Sequence, residues 1–169
     1  MSRPAAFLDR DGVINVDHGY TFRPEALEFT PTAIEGIRLL NQAHYPVLVV
    51  TNQSGVARGF YGMAEVDAFH ARINAALAEE GAHVDAFYSC PYHPDGTVAG
   101  YAIDHEDRKP AAGMIRRAMI DWDVAAQGSF LIGDKPSDAQ AAEAAGIPSR
   151  LITPDVGDLA AAVRHFLDR

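Results

Sequence analysis

Short, uniformly apolar runs alternate along this chain with segments whose apolar residues recur at helical spacing, and that alternation limits the fold more than any other feature. Residues 5–8, 47–50, 84–88, 130–132 and 151–152 read as strands, most of them too evenly apolar to keep one face in water. Between them, Ile34, Ile37 and Leu40 mark one helix; Val66, Phe69, Ile73 and Leu77 mark a second that Gly81 is placed to end. Met114, Ile115, Ala118, Met119 and Trp122 outline a third, residues 137–145 closed by Gly146 a fourth, and Leu159, Val163, Phe166 and Leu167 a fifth. Strand and helix in alternation imply an α/β fold: a Rossmann-like parallel sheet with right-handed crossovers and helices on both faces. A chain of 169 residues fits one such domain, spanning 1–169, and is short for two.

Two stretches break the rhythm. Residues 18–31 are rich in aromatics and proline and read as a loop or small flap, and residues 91–110 are long for a structureless connection.

Charge narrows the class of partner. The formal net charge is −9, which gives no electrostatic reason for binding nucleic acid or an anionic membrane. A phosphate-bearing partner would need a local pocket, which suits a small molecule. Cys90 is the one cysteine, so no intramolecular disulfide can form. Residues 1–4 lack the layout of a signal peptide and no apolar run approaches membrane-spanning length; the expected setting is the cytoplasm.

Polar residues directly after the strands carry the chemistry. Asp9 and Asp11 follow the first strand, Thr51 and Asn52 the second, and Asp134 the fourth, with Lys109 just before the third helix. In an open parallel sheet those carboxyl ends share one edge, so the residues should converge in a crevice there. If the chain stays extended, positions 9 and 11 project to the same side, and two carboxylates then share a site. A hard divalent cation relieves their repulsion, with Asp134 as a third oxygen donor, and magnesium is the natural candidate. Such a cation, the Thr51 hydroxyl and the Lys109 ammonium would together receive a phosphoryl group. Taken singly, each signal has a plain alternative: Asp11-Gly12 as a turn, Arg108-Lys109 as a solvated basic pair, Gly133-Asp134 as a loop. Their order at one sheet edge is what favours the joint reading.

The segments Phe7-Leu8-Asp9-Arg10-Asp11-Gly12-Val13, Val49-Val50-Thr51-Asn52-Gln53-Ser54-Gly55, Arg108-Lys109-Pro110 and Ile132-Gly133-Asp134-Lys135-Pro136-Ser137-Asp138 resemble the four signatures of the haloacid dehalogenase (HAD) superfamily. Within it, residues 14–20 and 52–59 look like the heptose-bisphosphate phosphatases, whose near relatives are the histidinol-phosphate phosphatases. The resemblance implies a magnesium-dependent phosphatase with almost no cap domain. It makes Asp9 the nucleophile and Asp11 the acid that protonates the leaving alkoxide, then the base that activates water. It implies magnesium on Asp9, on Asp134 and on the backbone carbonyl of Asp11, with Thr51 and Lys109 holding the phosphoryl group. Substrate contacts would come from Asp17, His18, Gly19, Tyr20, Thr51, Asn52, Gln53, Ser54, Arg108, Lys109 and Lys135. Asp138 either orients Lys135 or a metal-bound water, or serves as an N-terminal helix acid. A heptose bisphosphate would connect the chain to lipopolysaccharide or another surface glycan.

That family usually carries zinc in the loop before the Arg-Lys motif, on Cys-x-His and Cys-x-Cys. Here Cys90 remains, but Tyr92 replaces the histidine, and His105 and Asp107 replace the two cysteines. A degraded set of Cys90, His93, His105 and Asp107 would hold a single thiolate where zinc favours several, so the alternative is a loop packed on Tyr92 or Tyr101. Other readings of the whole chain are a histidinol-phosphate phosphatase, a phospho-receiver domain and a non-catalytic binding protein. The second Asp of Asp-x-Asp has no signalling role, and a binding protein has no need of clustered buried charge. A monomer is expected.

Overall fold

The computed structural model describes residues 2–169. Five strands, β1 (Ala6–Leu8), β2 (Val47–Asn52), β3 (Ala86–Cys90), β4 (Phe130–Gly133) and β5 (Ser149–Leu151), form one parallel sheet in the order β3-β2-β1-β4-β5. Five α-helices join them: α1 (Ala33–Gln42), α2 (Met63–Ala78), α3 (Gly113–Asp121), α4 (Pro136–Ala144) and α5 (Leu159–Leu167). The α/β sheet and helix order expected from the alternation are therefore what the chain forms.

Period-two alternation along the central strands sorts side chains between two cores. Ala6, Leu8, Val47, Val49, Phe130 and Ile132 face Ile37 and Leu40 of α1, Phe69, Ile73 and Leu77 of α2, and Leu159, Val163 and Phe166 of α5. Phe7, Leu48, Val50 and Leu131 face Met114, Ile115 and Ala118 of α3 and Ala141 and Ala142 of α4. Both faces are covered, which explains why β1, β2 and β4 read as unbroken apolar runs. The edges differ. β3 is mostly half-buried and β5 runs out into solvent at Arg150 and Leu151, because an outermost strand has a neighbour on one side only.

Register fixes the site. Leu8 lies level with Val49 and Ile132, so Asp9 emerges one residue beyond, beside the ends of β2 and β4. The chain leaves β1 toward β2 on one side and returns to β4 on the other, and the gap between those two departures is where an α/β sheet opens a crevice. The flap after β1 has little regular structure: isolated bridges pair Asp11 with Asn15 and Asn15 with Phe29, and one 3-10 turn spans Pro24–Ala26. A small third cluster of Val56, Tyr61 and Val66, backed by Phe22, Met63 and Tyr101, anchors it from below.

Candidate active site

Asp9 is buried at the end of β1, with the Lys109 ammonium 3.0 Å from its Oδ1. Lys109 Nζ also donates to Asp138 Oδ1 at 2.6 Å and to the Val50 carbonyl at 2.9 Å, so all three of its protons are committed. Its backbone is clamped as well: Asn52 Oδ1 accepts the Lys109 N–H at 3.0 Å and Asn52 Nδ2 donates to the Lys109 carbonyl at 3.1 Å. The far oxygen of Asp138 accepts the N–H groups of Asp134 (3.1 Å) and Lys135 (3.2 Å) at the start of α4. Of the three roles open to Asp138, the helix-start acid is the one these bonds describe, with the addition that it holds Lys109. Nothing in its sequence position announced that second partner.

Acid–base properties follow from this packing. Burial opposes the Lys109 charge, but Asp9 and Asp138 outweigh it and keep the ammonium protonated, above its ordinary range. Burial likewise opposes ionisation of Asp138, and Lys109 and the two N–H groups reverse the balance, holding its carboxyl below the usual range. Asp9 goes the other way: burial pushes it well above the ordinary carboxylate range despite Lys109, and Asp138 and Asp134 add to the rise. Burial raises Asp134 too, and its carboxyl is within hydrogen-bond reach of Asp9.

Two crowded carboxyls that resist ionisation together are what a hard cation with oxygen ligands resolves. Asp134 Oδ1 is buried and has no hydrogen-bond partner, so an acceptor stands ready without a donor. The space beside it depends on Gly12, whose φ is +84° and where an added Cβ would lie 2.3 Å from Asp134 Oδ2. These residues fit a divalent cation. Among the described residues the carboxylates that gather closely are Asp9, Asp134 and Asp138, and the Asp11 carboxylate is not in that set. The Asp11 carboxylate, expected from the sequence beside that of Asp9, lies outside this close group. β1 ends at Leu8 and the chain bends at Arg10, so the extended-strand rule does not reach position 11.

Asp11 instead sits in a cage of donors. Its Oδ1 accepts Arg10 Nε (3.0 Å), Arg10 Nη2 (2.7 Å) and Asn15 Nδ2 (3.0 Å), and its Oδ2 accepts Gln53 Nε2 (3.0 Å). Gln53 also donates to Thr51 Oγ1 at 2.9 Å, and its carbonyl accepts the Tyr61 hydroxyl at 2.6 Å. Burial pushes the Tyr61 phenol up to about 12, which keeps it a donor at neutral pH. Gly55 leaves room for that ring, since an added Cβ would fall 2.3 Å from it.

Two adjoining cavities open onto these groups. A tight one of about 60 Å³ is lined by Asp9, Asp11, Asp17, Asn52, Lys109, Lys135 and Ser137. A wider one of about 230 Å³ shares Asp11, Asp17, Asn52 and Lys135 and adds Gly19, Tyr20, Gln53, Ser54 and Tyr61. Thr51 is buried just behind them. Asp17 is held in place from across the fold, its N–H donating to Asp155 Oδ1 at 2.8 Å. Besides Thr51, two of the residues expected to meet substrate line neither cavity: His18 pairs with Glu28 at 3.2 Å on the outside of the flap, and Arg108 stands among the long-loop residues. Reading the sequence left out Arg10, His70, Tyr61 and Ser137. An arginine between two aspartates was the available signal for the first.

The long loop is closed by hydrogen bonds within it and to Ala57. His93 N–H donates to the Tyr101 carbonyl, and Thr97 and Val98 N–H groups both donate to Ala57. Cys90, His93, His105 and Asp107 do not come together as a metal-ligand set among the described residues. Asp107 takes both of its bonds from Arg117 Nη1 at 2.7 and 2.9 Å, and His105 stacks on Tyr92 at 4.2 Å. Cys90 is a buried apolar residue beneath the loop, its thiol raised by burial. The tyrosine that replaces the family histidine is thus one of the groups that pack the loop.

A sequence model of the HAD-hydrolase-like family matches residues 107–165. The chain is 47% identical over 146 residues to a D-glycero-beta-D-manno-heptose-1,7-bisphosphate 7-phosphatase from Rhodopseudomonas palustris, a match covering 86% of this chain and 81% of the relative. It is 39% identical over 155 residues to a D-glycero-alpha-D-manno-heptose-1,7-bisphosphate 7-phosphatase from Burkholderia mallei, covering 92% and 82%. The crystal structure of the D,D-heptose 1,7-bisphosphate phosphatase from B. bronchiseptica, complexed with magnesium and phosphate, superimposes with a TM-score of 0.84 at 34% identity over 98% of both chains.

Proposed function

The chain belongs to the heptose-1,7-bisphosphate 7-phosphatases of the HAD-like hydrolases, and from that premise we propose that it is a magnesium-dependent phosphomonoesterase removing the 7-phosphate of D-glycero-D-manno-heptose 1,7-bisphosphate by way of a phosphoryl group on Asp9. One observation carries the assignment of the nucleophile: Asp9 is a buried carboxylate held by Lys109 at 3.0 Å and opening on the tight cavity.

An oxygen of Asp9 attacks phosphorus in line with the leaving oxygen, and the P–O bond electrons go to the departing heptose alkoxide, which takes its proton from Asp11. In the second half, Asp11 takes a proton from water as that water attacks the acyl phosphate and restores Asp9. Asp9 and Asp134 side chains with the Asp11 carbonyl would hold magnesium, which neutralises phosphoryl oxygens and so lowers their repulsion of an anionic nucleophile. Lys109, its protons already committed, contributes its charge, and the Thr51 hydroxyl holds a phosphoryl oxygen. The wider cavity, walled by Asp17, Gly19, Tyr20, Ser54 and Lys135, takes the sugar.

The reading extends to a single domain over 1–169, a monomer in the cytoplasm. No helix among the described residues is long and apolar enough to cross a membrane. Phosphate release with magnesium, compared between heptose 1,7-bisphosphate and histidinol phosphate, tests the substrate, with the heptose turned over faster. Asp9→Asn should abolish turnover, by ~10⁴-fold or more given that the nucleophile itself is lost, while the circular dichroism of the fold stays unchanged. Residual wild-type-like activity in that variant would exclude Asp9 as nucleophile.

A further inference from the structure

Arg10 is fully buried, yet a guanidinium carries five N–H donors that must find acceptors. Nε and one Nη2 donor go to Asp11 Oδ1, and Nη2 also reaches the Thr21 carbonyl at 2.8 Å. Nη1 has His70 Nε2, 3.2 Å away, as its acceptor. His70 itself is locked: it is buried and its ring lies flat on Phe87, 4.1 Å between centroids with a 9° tilt. Burial and the neighbouring Arg10 charge lower its pKa to about 3, so Nε2 keeps the lone pair that Nη1 requires. Phe69 closes the remaining face of the guanidinium at 4.6 Å.

The consequence falls on Asp11. Three N–H donors converge on Oδ1, which leaves that oxygen no room to carry a proton, whereas Oδ2 accepts from Gln53 alone. We propose that His70 is a positioning residue for phosphoryl transfer: by seating Arg10 it fixes the Asp11 carboxyl so that the proton given to the leaving oxygen resides on Oδ2. The proposal rests on the phosphatase reading above and on Asp11 as its acid. In the step concerned, Asp9 oxygen bonds to phosphorus, the P–O bond to the sugar breaks with its electrons on the sugar oxygen, and the Oδ2–H proton moves to that oxygen.

A misplaced acid matters only when the leaving group needs a proton. An alkoxide does, and p-nitrophenolate does not. The test measures first-turnover rates, so that hydrolysis of the acyl phosphate does not enter, on heptose 1,7-bisphosphate and on p-nitrophenyl phosphate with magnesium. His70→Leu removes the acceptor and His70→Gln keeps one. His70→Leu should slow the sugar ester ~10- to 100-fold with KM within about twofold, and slow the aryl ester less than about threefold. His70→Gln should recover most of the loss, and Asp11→Asn should show the same contrast between esters in stronger form. Should His70→Leu fail to fold, His70→Phe keeps the ring stacked on Phe87 and removes only the acceptor. Equal losses on both esters, no loss, or a Gln variant as slow as the Leu variant would each overturn the role of His70 while Asp11→Asn still upholds the acid. A wild-type protein that hydrolyses neither ester would instead overturn the phosphatase reading itself.

Discussion

Asp9 and Asp11 are the same residue type two positions apart, and their surroundings give them different work. Asp9 is buried against a lysine and two carboxylates; Asp11 faces only donors and is part-exposed, its side chain 20% accessible. Their chemistry is set by neighbours, and the same holds for His70. An unfolded histidine titrates near 6.5 and this one near 3 in the fold, lowered by burial and then by Arg10. Above the unfolded value both states are neutral and the residue contributes no pH dependence. As pH falls below about 6.5 the unfolded chain takes up a proton that the fold refuses, so stability should decline toward pH 3 by at most ~1.4 kcal/mol per unit. Urea unfolding of wild type and His70→Gln at about pH 7, about pH 5.5 and about pH 4 should show the flatter profile in the variant. Parallel profiles would mean that His70 does not resist protonation.

At the scale of elements, the start of α4 links three functions. Asp138 joins the two N–H groups that lead into the helix, those of Asp134 and Lys135, to Lys109, and through Lys109 to Asp9. The close turn out of β4 permits this because residue 133 is glycine: a Cβ there would lie 2.4 Å from Asp138 Cβ. Asp138→Ala should therefore cost ~3–5 kcal/mol, the range for breaking a buried ion pair, because it leaves a buried ammonium short of a partner and two N–H groups unmet. Denaturant unfolding in the presence of chelator measures this without a contribution from metal. A loss near that of a surface substitution would show that water replaces the carboxylate. The flap is tied down differently, by Phe22 stacked on Tyr61 at 4.9 Å and by Tyr20 edge-on to Phe60 at 4.8 Å. Aromatic contacts of this kind hold a short flap over the wider cavity without a cap domain.

For the molecule as a whole, the sheet draws acidic groups together and leaves the site with carboxyls that resist ionisation. A cation that binds the fold and not the unfolded chain stabilises it by mass action, ~2.7 kcal/mol at 100 times its Kd. Magnesium should raise the Tm and chelator lower it again, read by scanning calorimetry; a Tm indifferent to magnesium would count against the cation site. Large apolar side chains in contact with water are dispersed: Ile103, Ile120, Leu151 and Val156 lie in different segments, and Tyr20 and Phe60 pair at the flap. Dispersed exposure of this sort forms no broad apolar patch, so sedimentation should give the mass of one 18.2 kDa chain. A concentration-independent dimer would reverse that expectation.

What the sequence determined by itself was local and periodic. Runs such as Val47–Val50 must be covered on both faces, helical spacing such as Val66, Phe69, Ile73 and Leu77 must bury one side, and residues following parallel strands must share an edge. Those rules act through near neighbours, so Asp9, Thr51, Lys109 and Asp134 were legible as one site. The tertiary structure decided where each side chain points and what it meets. Asp11 took Arg10, Asn15 and Gln53 as partners because the strand had already ended at Leu8, Asp138 took Lys109 across 29 positions, and Arg10 found His70 across 60. Asp107, one of the four residues weighed as a zinc set, closed on Arg117. Such pairings follow from the satisfaction of buried charge in three dimensions, and no period in the chain encodes them.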